Sequence, residues 1–140
     1  MNRSTPSKWA LFILQAFNGL SAVLGGYMLL KDPSGTDLGL QLGWLEGTPF
    51  SSFLIPGLVL LVMNGLGNLL GAGLTLRRWR QAGNYGLLFG LIMMSWIMAQ
   101  VAWIGYQGFL QPLYFGTGMV QFAFGYLHQY RTDLEPGKNR

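Results

Sequence analysis

The sequence predicts an all-α fold, namely a four-transmembrane-helix bundle with a longer outer loop between helices 1 and 2. Composition is the first reason, because 51% of the 140 residues are hydrophobic and 10% are charged, whereas soluble domains carry about 25% charged residues. The second reason is that the charges form short clusters between four long uncharged stretches. The third is that nearly all basic residues fall on one side of the helices that these stretches predict.

The four uncharged stretches cover residues 9–30, 52–76, 83–107 and 109–130, within a single integral membrane domain over residues 1–140. Each is longer than the roughly 20 helical residues that cross a bilayer core. The first also exceeds the apolar core of about 7–15 residues in a signal peptide, so we expect it to be retained. Pro56 and Pro112 fall in the first turns of helices 2 and 4, where a missing N–H costs least.

The basic residues predict how the chain is oriented. Short loops rich in Lys and Arg stay in the cytoplasm. An even number of spans places the N-terminal segment, the loop 77–82 and the tail 131–140 on one side, and that side holds eight of the nine basic residues. We therefore expect a multi-pass plasma-membrane protein with both termini cytoplasmic. The basic residues on that side are Arg3, Lys8, Arg77, Arg78, Arg80, Arg131, Lys138 and Arg140.

Amide side chains inside the predicted spans are the candidate functional residues. Small residues and interhelical hydrogen bonds hold membrane helices together, since lipid gives helices no hydrophobic reason to associate. One interpretation is that these amides join the first, second and fourth helices. The other is that they line a polar path or a ligand pocket. The residues are Gln15, Asn18, Asn64, Asn68, Gln100 and Gln121.

The loop 31–51 mixes leucines and a tryptophan with glycines. It is expected to lie on the membrane surface or to cap the mouth of the bundle. It would act either as a lid without a ligand or as a gate over an outward cavity. Its acids, Asp32, Asp37 and Glu46, are spread too widely for the convergent oxygens of a calcium site, so no metal site is predicted.

Several kinds of chemistry have no candidate residues. The chain has no cysteine, which excludes disulfide scaffolds and Cys-ligated metal centres. The spans hold no Asp, Glu, Lys or Arg, which argues against a proton-coupled pump. His128 stands alone and is interpreted as an interfacial residue. No catalytic residue and no cofactor is predicted, and the clustered basic residues do not favour nucleic acid as a partner.

Short motifs at the turns and helix starts resemble a family of small four-helix bacterial membrane proteins, loosely similar in plan to DoxX-like proteins. The motifs are Asp32-Pro33-Ser34-Gly35, Leu38-Gly39-Leu40, Thr48-Pro49-Phe50 and Leu54-Ile55-Pro56-Gly57. The resemblance implies a bacterial inner-membrane location and no assigned activity. The first helix lacks the glutamate of small multidrug transporters, with Gln15 as its nearest polar residue, and the motif of small fluoride channels is missing.

The sequence therefore favours a non-enzymatic accessory or structural membrane protein. One alternative is a small transporter or channel with a neutral, amide-lined path. Another is a subunit of a membrane enzyme. The expected partners are the lipid bilayer and either a second copy of the chain or another membrane protein.

Overall fold

The computed structural model describes residues 5–135 and 137, and every regular element in this part of the chain is helical. Arg3, Lys138 and Arg140, which contribute to the predicted orientation, lie outside the described residues. Two short 3₁₀ turns, Thr36–Leu38 and Leu42–Leu45, lie in the loop after the first helix. The four long helices are α1 Thr5–Lys31, α2 Leu54–Leu76, α3 Ala82–Ile104 and α4 Leu110–Leu134.

The all-α prediction is confirmed, and α1, α2 and α3 are each long and apolar enough to cross a membrane. The third predicted stretch runs to residue 107, but α3 ends at Ile104. The reason is that Gly105 takes a positive φ of 74°, a conformation that ends helices and favours glycine. At the other end of the chain, α4 extends beyond the predicted limit at residue 130, to Leu134.

Glycines let the helices approach closely within two hairpins. α1 packs along α2 and α3 along α4, and contacts of α1 with α4 and of α2 with α3 close the bundle. A Cβ built on Gly26 of α1 would lie 2.7 Å from the main-chain nitrogen of Leu61 in α2. A Cβ on Gly90 of α3 would lie 2.7 Å from the carbonyl oxygen of Gly118 in α4. Such close backbone approach is typical of membrane helices.

The bundle is polar inside and apolar outside. The side chains of Gln15, Asn18, Asn64, Asn68 and Gln121 are 0% exposed. Large apolar residues instead cover the outer faces, among them Ile13, Leu20, Leu24, Leu70, Met98 and Met119. This distribution is the reverse of a water-soluble core and suits a surrounding of lipid.

A π-helical segment interrupts α2 at Leu60–Leu66. Its widened turn is visible where the main-chain N–H of Gly67 donates to the carbonyl of Val62, five residues earlier. Asn64 and Gly65 within this segment are both buried. π segments of this kind occur frequently at functional sites.

Residues 32–53 cap one end of the bundle, which we call the loop end; the end that carries residues 77–81 is the turn end. Leu45 and Phe53 pack on Leu29 of α1 in a buried apolar cluster. The main-chain N–H of Phe53 donates to the carbonyl of Pro33 at 2.8 Å, which joins the two ends of the loop. The loop therefore packs against this end of α1.

Two acidic residues of the loop, Asp32 and Asp37, interact with groups close to them in the sequence. Both carboxylate oxygens of Asp32 accept hydrogen bonds, from the Ser34 hydroxyl at 2.6 Å and from the Asp37 main-chain N–H at 3.0 Å. The Asp37 carboxylate lies 4.0 Å from the Lys31 ammonium. Among residues 5–135 and 137, no three acidic or histidine side chains are placed to hold a metal ion together.

Asp32 gives the loop a pH dependence. The hydrogen bond from the Ser34 hydroxyl, followed by that from the Asp37 N–H, lowers the pKa of Asp32 below its usual value of 3.8. Because the pKa of Asp32 is lower in the folded than in the unfolded chain, its carboxylate stabilises the loop fully above pH 3.8. This stabilisation is lost as the pH falls through the folded-state pKa. In an NMR titration we expect the amide of Ser34, which donates to Asp32 at 3.2 Å, to shift with a midpoint below 3.8. An unshifted midpoint, or the same titration in Asp32→Asn, would contradict this.

Candidate functional site

Gln121 of α4 is the centre of a buried hydrogen-bond network. Its Oε1 accepts from Nδ2 of Asn18 in α1 at 2.8 Å. Its Nε2 donates to Oδ1 of Asn68 in α2 at 2.8 Å and to the carbonyl oxygen of Gly86 in α3 at 3.1 Å. One side chain therefore contacts the other three helices, and we call Asn18, Asn68, Gln121 and the Gly86 carbonyl the amide network.

Asn68 connects the amide network to the π segment of α2. Its Nδ2 donates to the main-chain carbonyl of Asn64 at 2.7 Å. The side chain of Asn64 is itself completely buried, yet neither Nδ2 nor Oδ1 has a hydrogen-bond partner. Two asparagines one turn apart are thus equally buried, but only Asn68 has its side chain bonded.

Gln15 forms a second polar joint, nearer the turn end. Its Oε1 accepts from the hydroxyl of Thr75 at 2.7 Å, which links α1 to the last turn of α2. Its Nε2 lies against α2 and α3, so that a Cβ on Gly71 would lie 2.7 Å from it and one on Gly86 3.3 Å. The absence of a side chain at Gly71 and Gly86 leaves room for the amide of Gln15.

The amide network can donate and accept hydrogen bonds but cannot carry a titrating proton, since none of its side chains ionises near neutral pH. Buried atoms without partners remain around it: Nε2 of Gln15, Oδ1 of Asn18 and both side-chain polar atoms of Asn64. Unpaired polar atoms are costly in a low-dielectric interior. The region therefore combines strong interhelical bonds with residual hydrogen-bonding capacity.

Gln100 lies apart from the amide network. It is half-buried and lines a cavity of about 350 Å³ under the capping loop. A volume of this order falls at the small end of the range of ligand pockets, about 300–1,000 Å³. Aromatic and aliphatic side chains make up most of its wall, including Trp44, Phe50, Phe53, Trp96, Trp103 and Ile104.

The structure thus brings Asn18, Asn68 and Gln121 into direct contact and leaves Gln100 out. Asn64 joins them only through its main-chain carbonyl, and Gln15 bonds elsewhere. The cluster was expected to join the first, second and fourth helices, and its three bonded side chains do come from those helices. The third helix also takes part, through a main-chain carbonyl that no side-chain pattern indicates.

Two bonded polar side chains, Thr75 and Gln129, are not among the six amides that the sequence selects. Thr75 lies four residues after the buried Gly71 on α2, but a threonine within a helix commonly bonds its own backbone. Gln129 of α4 accepts from the main-chain N–H of Asn84 at 3.2 Å and so binds the first turn of α3. Helical spacing could have indicated both, since Thr75 follows the buried Asn68 by seven residues and Gln129 follows the buried Gly125 by four. His128 is buried at the turn end.

Comparisons of the chain with family models, with curated proteins and with solved structures find no match.

Proposed function

We propose that the chain is a non-enzymatic accessory or structural membrane protein, a four-span bundle with both termini in the cytoplasm of a bacterial cell. The observation that carries this proposal is the amide network, whose side chains are 0% exposed and hydrogen-bond to one another across the bundle. Amides used in this way stabilise a packed fold. An open polar path requires instead that they face water.

The polar face of α4 supports four spans. α4 contains more polar residues than the other long helices, but several of them are turned inward: Gln111, Gln121, His128 and Gln129 are all buried. The outer face carries Met119, Val120, Tyr126 and Leu127. A helix that shields its polar side chains against three neighbours can lie in lipid despite a low average hydropathy.

Gentle purification tests the accessory role. We expect the full-length chain, extracted from native membranes in a mild detergent, to be isolated with a membrane-protein partner in a fixed ratio. A negative control is an unrelated four-span protein of similar expression. Isolation of the chain alone, together with solute flux when it is reconstituted into liposomes, would contradict the proposal.

A neutral polar path is the second candidate function. The unpaired polar atoms of Gln15, Asn18 and Asn64 favour it, because buried polar atoms without protein partners often bind water. Asn64 lies in the π segment and offers both a donor and an acceptor. Under this interpretation the Asn64 side chain would contact the transported solute.

Leucine substitutions at two asparagines distinguish the candidates. We expect Asn64→Leu to leave unfolding free energy unchanged or to raise it by up to ~1 kcal/mol, since it removes two unpaired buried atoms. Asn68→Leu should lower it by about 1–3 kcal/mol, because Gln121 and the Asn64 carbonyl each lose a partner. Unfolding of the detergent-solubilised proteins measures both. Loss of solute flux in a folded Asn64→Leu variant would instead support the path.

A further inference from the structure

The chain between α2 and α3 carries exposed arginines in a defined turn. Arg77, Arg78, Trp79 and Arg80 are all exposed. In the described part of the chain, no carboxylate lies within ion-pairing distance of any of these three guanidinium groups. The turn therefore presents three guanidinium groups, none of them ion-paired within residues 5–135 and 137, beside an indole ring at the edge of the apolar surface.

The backbone of this turn is a Schellman motif. The main-chain N–H of Trp79 donates to the carbonyl of Leu74 at 3.0 Å, and that of Arg78 donates to the carbonyl of Thr75 at 3.2 Å. This pattern requires a left-handed residue just after the helix, and Arg78 takes it with φ 55°. Glycine usually occupies this position, because any Cβ there is sterically unfavourable.

Arg78 is the one non-glycine residue with a positive φ in the described part of the chain, in a protein that has 21 glycines. Orientation in the membrane depends on the number of basic residues in a loop rather than on their exact positions. If the arginines served only to orient the protein in the membrane, an arginine next to position 78 would do so without adopting an unfavourable φ. Holding an arginine at an unfavourable φ is therefore a reason to look for a local role of its side chain.

We propose that residues 77–80 bind the phosphate of an anionic phospholipid. Arginine matches phosphate with two parallel N–H donors, whereas lysine offers a point charge. Trp79 is 47% exposed, and tryptophan prefers the headgroup level of a bilayer. The cations thus lie at the depth of lipid phosphates. The site needs the helices to lie in a bilayer, but it does not depend on the chain being an accessory protein.

Native mass spectrometry of the full-length protein, titrated with phosphatidylglycerol, tests the site. Each arginine near an anionic lipid contributes about 1 kcal/mol, which is roughly fivefold in affinity. With three arginines we expect phosphatidylglycerol to bind at least about tenfold tighter than phosphatidylcholine. Arg78→Gly should weaken phosphatidylglycerol binding about fivefold while raising the thermal midpoint by ~2–5 °C, since glycine relieves the backbone. Lys31→Gln, at the loop end, is the control and should leave the affinity unchanged.

The variant Arg77→Lys/Arg78→Lys/Arg80→Lys separates recognition from orientation, since it keeps every charge. We expect it to weaken phosphatidylglycerol binding several-fold. Equal affinities for the two lipids, unchanged phosphatidylglycerol binding in Arg78→Gly, or competition by inorganic phosphate at the same concentration as the lipid would each overturn the proposal. The two proposals can fail separately. If the chain is isolated without a partner or conducts solute, but still prefers phosphatidylglycerol to phosphatidylcholine, the accessory role is wrong and the lipid site stands.

Discussion

Gly125→Ala is expected to be the most damaging single substitution in the bundle, lowering the unfolding free energy by at least about 3 kcal/mol. A Cβ on Gly125 would lie 2.4 Å from the main-chain nitrogen of Leu87 and 2.8 Å from the carbonyl oxygen of Gly83. Both atoms belong to the backbone of α3 and cannot move aside as a flexible side chain can. α3 and α4 would have to separate along the contact. Unfolding in detergent, followed by circular dichroism, measures the effect.

Gly116→Ala is the matched control, because both glycines lie within α4. A Cβ on Gly116 meets nothing within 4 Å. The same substitution there should be neutral or should stabilise by up to ~1 kcal/mol, since alanine favours a helix more than glycine does. Similar losses at both positions would show that the close α3–α4 contact is not the cause of the loss at Gly125, since Gly116 lacks that contact.

Gln121→Leu should have the second largest effect. The substitution keeps the side chain close in size but removes three hydrogen bonds, leaving Asn18 Nδ2, Asn68 Oδ1 and the Gly86 carbonyl without this partner. Single interhelical hydrogen bonds in membranes contribute about 0.6–1.7 kcal/mol. We therefore expect a loss of about 2–4 kcal/mol in unfolding free energy, measured by titration with a denaturing detergent.

Gln100→Leu is the control for Gln121→Leu. Gln100 is the same residue type but lies half-buried at the cavity under the capping loop. The substitution should change the unfolding free energy by less than about 0.5 kcal/mol, as is usual away from a network. If Gln100→Leu destabilised the protein as strongly as Gln121→Leu, the network would not be the source of the stability.

The sequence indicated much of the fold because the membrane imposes simple constraints on a chain. Length and hydropathy mark α1, α2 and α3 as candidate spans, since a span needs a minimum number of apolar residues. Proline and glycine at the turns constrain their ends. Buried amides could be selected individually, because a polar group in an apolar helix has to bond inside the bundle. This reasoning selected six amides, and three of them, Asn18, Asn68 and Gln121, bond to one another through their side chains.

Other features depend on geometry that no side-chain pattern encodes. The π segment at Leu60–Leu66 is one such feature, because its widened turn is a property of the backbone that side-chain spacing does not predict. The Gly86 carbonyl is another, because it is a main-chain group that accepts a hydrogen bond from Nε2 of Gln121. Gln100 is an amide within the third predicted stretch, as Gln121 is within the fourth. It lies near the end of α3, where the capping loop and a cavity replace helix packing.

A double-mutant cycle between Asn18 and Gln121 tests most directly whether the buried amides are structural joints. The four proteins are the wild type, Asn18→Ala, Gln121→Ala and the double variant, each unfolded under the same conditions. The 2.8 Å bond between Nδ2 and Oε1 predicts a coupling energy of about 0.6–1.7 kcal/mol. A coupling below ~0.2 kcal/mol, with both single variants folded, would mean that the two amides do not hold the helices together.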